Sequence, residues 1–470
     1  MTDIATEAPP RRGVAGGRFD RRFSVTQRGS TLRTEVLGGL ATFLTMSYIL
    51  FVNPAILGQA GVPFKGVAVA TALAAAVCTI AMGLVANLPF GLASGLGLNA
   101  VVAFDIILGR HLPWPTGMAC VVIEGLVIVL LVAVGLRQAV MRAIPDSMKF
   151  AIAVGIGLFI AFIGLRQGGI VVNSAATGVA LGDLTKGPPL IAMAGILVAA
   201  GLTARNVRGA ILIGVLTSTA LGLIFGVLDG PTGVAAWPGA GSFSTIGKSL
   251  SGDALSGALT WALVPTIFAL MMTEFFDTIG TSTGLAATAG LLDQRNEIPR
   301  MGRMLMVDAA SATAGGVAGV SSVTTYIESS AGIAEGAKTG LASLVTGGLF
   351  VLAIFFVPII ALVGQQVPYV DKTFISPAIA PALVIAGYLM MRLVQRIDWG
   401  NSESALPSFL IIAGIPMTFS ISAGIGLGVL GYVVVMIVKG RMREIHPLMW
   451  ALVPLFIAFY ANGWLSAHVF

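Results

Sequence analysis

Most of the chain reads as apolar runs of about 17–25 residues separated by short polar or glycine-rich interruptions, each run long enough to cross hydrocarbon as a helix. About fourteen can be placed, at 35–57, 65–86, 89–109, 114–136, 146–165, 188–204, 208–228, 257–281, 303–319, 321–336, 339–364, 374–391, 405–420 and 422–438. Residues 446–463 are a further apolar run, readable as a span or as an interfacial helix, within a C-terminal segment 446–470. The first run is too long and too far from the start for a cleaved signal peptide. Residues 1–34 before it read as an Arg-rich disordered tail.

The longest polar interruption, 229–256, is rich in Gly, Ser and Pro and suits an exterior linker between halves 35–228 and 257–445. Each half holds seven spans, and an odd number makes the second half enter from the opposite side. The expected fold is therefore an all-α polytopic membrane protein of two inverted seven-span repeats.

Composition agrees with a membrane protein. Hydrophobic residues make up 56% and charged residues 10%, and the mean hydropathy of +0.94 lies far from that of a soluble domain. The net charge of +6 could suggest nucleic acid, but the basic residues follow topology instead. With a cytoplasmic N-terminus, 21 of 27 Lys and Arg fall on the cytoplasmic side, the asymmetry that orients a multi-pass protein in a plasma (inner) membrane. Cys78 and Cys120 lie in different runs, and His111, His446 and His468 lie at span ends. No metal cluster or disulfide framework follows from them, and no cofactor is expected. The P-loop and HExxH patterns are missing, so the sequence does not read as an enzyme.

Against this apolar background the acids stand out. Glu274 and Asp277 lie in MMTEFFDTIGTSTGLA, and Glu328 lies in TTYIESSAGI. In a bilayer core each costs a few kcal/mol or more, so such acids mark a cavity, a partner or a transported solute. Glu274 and Asp277 are about 300 degrees apart around a helix, near one face and one turn apart. Two acids this close in low dielectric do not both stay ionised, so at least one is expected to hold a proton. A nitrogen-rich heterocycle would suit them, because a carboxylate accepts N–H bonds and a protonated carboxyl also donates one. Asp277 can alternatively cap or orient a neighbouring helix, and Glu328 can be a structural carboxylate. Asp105, Glu124 and Asp308 are further intramembrane acids off the matched positions.

A spacing relates the halves. Thr45 and Asn99 are 54 apart (99 minus 45), as are Glu274 and Glu328 (328 minus 274). Spans 3 and 10 are both interrupted by glycines, at 91, 95 and 97 and at 315, 316, 319 and 332, as expected of discontinuous helices with short extended segments. Packing through small residues is the other reading of span 3 taken alone. Asn99 can equally cap the second half of that span or bond a ligand. Phe276 and Phe90 are candidates to stack on a planar ring.

The runs EVLGGLATFLTMSYILFVNPAIL, PFGLASGLGLNAVVAF, TEFFDTIGTSTGLA and TTYIESSAGIAEGAKTGLASLVTGGLF, with ESALPSFLIIAGIPMTFSISAGI and REIHPLMW near the end, together resemble the AzgA-like purine permeases of the nucleobase:cation symporter-2 family. The likeness covers roughly residues 31–465. It implies a core domain (35–136 and 257–364) and a gate domain (146–228 and 374–465), proton-coupled uptake of hypoxanthine, adenine or guanine, and a homodimer through the gate domain. It also implies a substrate site at Asn99, Glu274, Asp277 and Glu328, with the backbone around Gly97, Leu98, Ile327 and Ser329 lining the same pocket. Two departures put the preferred purine in question: Glu274 stands where Asp is common, and SGLGLNA where PGMGLNA is expected. Another solute on the same fold, such as xanthine, uracil or an anion, and a channel or membrane-embedded enzyme are the competing readings.

Overall fold

The computed structural model describes residues 18–135, 144–292, 298, 300–370 and 373–468. The first half contains α1 (Arg18–Phe23), α2 (Leu32–Met46), α3 (Ile49–Gln59), α4 (Phe64–Ala81), β1 (Leu92–Ser94), α5 (Leu96–Ala100), α6 (Trp114–Ala133), α7 (Asp146–Gln167), a hairpin β2 (Val171–Ser174) and β3 (Gly178–Leu181), α8 (Gly187–Ala204) and α9 (Ala210–Ile224). After the linker come α10 (Gly252–Ala258), α11 (Val264–Thr288), α12 (Met301–Ala318), β4 (Val323–Thr325), α13 (Ser329–Ala334), α14 (Gly340–Ala353), α15 (Val357–Val363), α16 (Ala380–Met391), α17 (Ser402–Thr418), α18 (Ile421–Val438) and α19 (Pro447–His468).

This is a multi-pass helical membrane protein. Among the described residues, nine helical stretches are long and apolar enough to cross a membrane. Three further apolar helices, Leu96–Leu108, Ala210–Ile224 and Pro447–Ala461, are shorter than that, so the described residues show fewer full-length spans than the fourteen expected. Length and hydropathy alone cannot register a half-helix, because at 1.5 Å per residue it reaches only part of the way across.

The helices fall into two packed groups. In one, α2 to α6 pack with α11 to α14; in the other, α7, α8 and α9 pack with α16 to α19. The groups meet mainly where α5 and α11 face α7 and where α11 meets α18 and α19.

Several local features differ from the sequence reading. The first expected span is two helices with a break at Ser47 and Tyr48. Within the expected disordered tail, residues 18–34 are structured: Phe23 and Val25 are buried, and Arg28 donates to the carbonyls of Asn87 (2.7 Å) and Lys338 (2.8 Å). Residues 1–17 lie outside the described set. The linker is not open coil, since Thr245 donates to the carbonyl of Ala318 at 2.9 Å and Gly247 N–H to that of Val317 at 2.8 Å, seating it on the end of α12. The apolar run 446–463 belongs to α19, which packs on α18 through buried Phe456 and through Tyr460, whose hydroxyl donates to the carbonyl of Ala423 at 2.6 Å.

Candidate functional site at the crossing of two broken spans

Spans 3 and 10 are interrupted by extended segments, and the two segments meet. β1 and β4 pair antiparallel, with Leu92 opposite Thr325, Ala93 opposite Thr324 and Ser94 opposite Val323. Non-helical backbone survives at this depth only if protein satisfies its polar groups. Side chains do much of that here. The Thr79 hydroxyl takes the N–H of Leu92 (2.9 Å) and donates to its carbonyl (3.0 Å). Ser329 Oγ accepts from Gly91 N–H at 2.9 Å and donates to the carbonyl of Tyr326 at 2.7 Å. Tyr326 donates through its hydroxyl to the carbonyl of Ser94. Asn53, fully buried in α3, and Ser94 both donate to the carbonyl of Val320, in the turn that leads from α12 into β4.

That turn requires glycine at Gly315. A Cβ there would sit 2.1 Å from the carbonyl oxygen of Ser321, and backbone cannot yield as a flexible side chain can. Gly319 then closes α12 in the left-handed region, with φ +77.

The acids divide into two sets. Glu274 is fully buried; its carboxylate accepts from the Ser322 hydroxyl, and the acids acting on it are Glu124 on α6 and Asp308 on α12. Asp308 is a brace: one oxygen accepts from Thr325 N–H (3.1 Å) and hydroxyl (3.0 Å), and the other from the Thr278 hydroxyl (2.5 Å). Asp277 and Glu328 are only half-buried; the acids acting on Asp277 are Asp308 first, which it shares with Glu274, and then Glu328. Glu328 Oε1 accepts from the hydroxyl of Tyr48 at 2.5 Å, and Asp277 and Glu328 both act on the buried phenols of Tyr48 and Tyr326. Thus Asp277, not Glu274, shares the surroundings of Glu328.

The other expected site residues are placed as follows. Asn99 is fully buried; its Oδ1 accepts from Ser94 Oγ at 2.7 Å, while its Nδ2 has no hydrogen-bond partner among the described residues. Thr45 Oγ1 lies 2.9 Å from the carbonyls of Ala41 and Thr42 and 3.2 Å from that of Glu328. Its single proton has nearer acceptors in its own helix, and the Glu328 backbone lies beside it. Ser329 is committed to the strand crossing. Gly97 faces the second helix group, where a Cβ would come within 2.7 Å of Ile156 Cγ2 on α7. Leu98 is buried and Ile327 exposed. Phe90 is fully buried, and the side chain of Phe276 lies outside the described set.

Sequence reasoning did not single out Tyr48, Ser94 or Ser322. One signal pointed to Tyr48: it precedes Asp277 by 229 residues (277 minus 48), the interval that also relates Thr45 to Glu274 (274 minus 45).

A cavity of about 270 Å³ runs beside Thr45, lined by Leu37, Leu40, Ala41 and Leu44 and flanked by Arg208 and Glu335. The latter two form an ion pair joining the α8–α9 connection to the end of α13, one residue from each helix group. Elsewhere between the groups, Asp105 Oδ2 accepts from the hydroxyl of Ser420 at 2.8 Å, just before α18.

The chain is 38% identical over 456 residues to the guanine/hypoxanthine permease PbuG of Bacillus subtilis, covering 93% of this chain and 98% of that one. It is 38% identical over 430 residues to the adenine permease AdeQ of Escherichia coli, covering 92% and 93%. Among solved structures the fold is similar to the transmembrane domain of the cyanobacterial bicarbonate transporter BicA, with TM-score 0.57, 16% identity and coverage of 83% and 97%. It is also similar to the murine anion transporter Slc26a9, with TM-score 0.59, 11% identity and coverage of 92% and 73%. Residues 33–427 match the family model described as Permease family, that of the xanthine/uracil permeases, and the chain belongs to that family.

Proposed function

We propose that this protein imports a purine nucleobase, such as hypoxanthine, guanine or adenine, together with a proton. The observation that carries the reading is the pair of half-open acids, Asp277 and Glu328, beside the crossing of the two broken spans. Asn99 Nδ2, in the other of the two crossing spans, adds an unused buried donor, and an unpaired polar group of this kind costs stability unless a ligand takes it up. A purine offers N–H donors to the carboxylates and ring-nitrogen or carbonyl acceptors to the amide. Acidic surroundings disfavour an anion, although the fold is shared with anion carriers. The relatives named for guanine, hypoxanthine and adenine support the same solute class.

In this reading Asp277, Glu328 and Asn99 front the solute. Glu274, with Glu124 and Asp308 beside it, is the interior acid whose protonation is linked to binding. Linkage makes the effect reciprocal: if the loaded acid favours the base, the base favours loading. The first helix group is the core that carries the site and the second is the gate, within fourteen spans arranged as two inverted repeats. The protein lies in the inner membrane with its N-terminus cytoplasmic, and a homodimer would form through the gate. The cavity beside Thr45 then opens toward the cytoplasm, because Arg208 lies in a cytoplasmic connection under this orientation.

The test is uptake of labelled hypoxanthine by cells lacking their own purine permeases, with adenine, guanine, xanthine and uracil as competitors. Uptake that purines suppress and a protonophore abolishes is the expected result. Uptake indifferent to a protonophore removes the proton from the scheme, and no purine-sensitive uptake removes the substrate.

A further inference from the structure

We infer that Tyr48 is a positioning residue that orients the carboxylate of Glu328, and so sets which of its oxygens a bound base meets. The inference rests on the purine reading above and adds a residue to it.

Tyr48 lies in the break of the first span, where α2 ends and α3 has not begun. Ser47 and Tyr48 keep right-handed helical dihedrals (φ −60, ψ −20 and φ −58, ψ −24), so Tyr48 stays on the helical face of the span. The ring is almost fully buried, at 1% exposure, so the side chain cannot swing away, and its hydroxyl is its one polar atom. That hydroxyl donates to Glu328 Oε1 at 2.5 Å, a short bond of the kind expected for O–H on a carboxylate. Three residues earlier, on the same face, Thr45 reaches the backbone carbonyl of the same glutamate at 3.2 Å.

Tyr48 thus holds one carboxylate oxygen of Glu328, while the Thr45 hydroxyl, shared with nearer carbonyls of its own helix, lies against the Glu328 backbone. A free glutamate side chain has several rotamers to lose on binding a solute, and a side chain already held has fewer. With Oε1 engaged by the phenol, Oε2 is the oxygen left for an N–H of the base. Because Tyr48 acts through Glu328 and not on the solute, its loss weakens binding more than it slows translocation.

The experiment compares Tyr48→Phe, which removes one oxygen and keeps the ring, with wild type. Membrane amounts are matched by immunoblot, and base binding is repeated on the fraction of purified protein that elutes monodisperse. The expected result is a rise in KM and Kd of roughly two- to tenfold, the effect of ordering one released side chain on binding, with the maximal rate per molecule kept within about twofold. An infrared band that disappears in Glu328→Gln should also change position in Tyr48→Phe, a readout that does not depend on transport. Unchanged KM, Kd and band position would overturn the inference, as would a fall in maximal rate with KM unaltered. If wild type itself takes up no purine, the functional reading fails first, and the infrared comparison still decides whether Tyr48 orients Glu328.

Discussion

Replacing Glu328 by glutamine tests the site directly. The amide keeps nearly the same shape and one acceptor oxygen, but it loses the charge and gains a donor. In the wild-type arrangement Oε1 accepts from Tyr48 at 2.5 Å, and the second oxygen is the one left for the solute in the proposed reading. If the amide oxygen keeps the Tyr48 bond, its NH2 points at the solute, where an N–H of the base would meet another donor. If it flips, the NH2 faces Tyr48, whose hydroxyl can turn to accept, and the solute meets a neutral carbonyl in place of a carboxylate. Either way one charge-assisted hydrogen bond to the base is lost, about 1.5–3 kcal/mol, which is about ten- to 150-fold in affinity. Uptake at base concentrations near the wild-type KM should then fall to background, while the protein still reaches the membrane, because the amide keeps nearly the shape of the acid. Labelled-hypoxanthine uptake with immunoblotting of the membrane fraction is the assay. A glutamine variant with wild-type KM and maximal rate would refute the reasoning.

Two further outcomes follow from the braces around the site. Asp308→Ala removes the acceptor for three bonds and leaves the buried N–H of Thr325 without its carboxylate partner, costing about 1–3 kcal/mol for that orphaned donor alone; the expected result is a lower thermal midpoint in detergent, and an unchanged midpoint would show that the carboxylate is not structural. Arg208→Glu places like charges at the contact between the helix groups and should alter the transport rate, whereas the double exchange Arg208→Glu with Glu335→Arg should restore it; equal behaviour of single and double variants would rule out the ion pair as a closing contact.

The architecture was visible in the chain where physics leaves a one-dimensional trace. Glycines at 91, 95 and 97 and at 315, 316 and 319 marked the places where helices stop in mid-membrane, and the structure has β1 and β4 there. Acids in apolar runs marked the region of the site. The direction each acid faces left no such trace. Glu274 and Asp277 sit one turn apart, yet a modest rotation of α11 buries the first against Ser322 and leaves the second half-open. Tyr48 was hidden for a related reason: an aromatic in an apolar run reads as packing, and its hydroxyl meets a glutamate 280 residues further along the chain. The structured segment 18–34 was missed because its arginines read as a solvated tail, whereas Arg28 is spent on two backbone carbonyls at helix ends.

The pairing of Leu92 with Thr325 has a consequence for how the protein is made. Helices α1 to α9 are synthesised long before β4 leaves the ribosome, so for that interval the edge of β1 has Thr79 and not yet its neighbouring strand. Nascent chains halted within the linker should therefore be held by insertion factors or degraded. Co-expression of the two halves as separate polypeptides should rescue each from turnover, since only together do they close the bare edge.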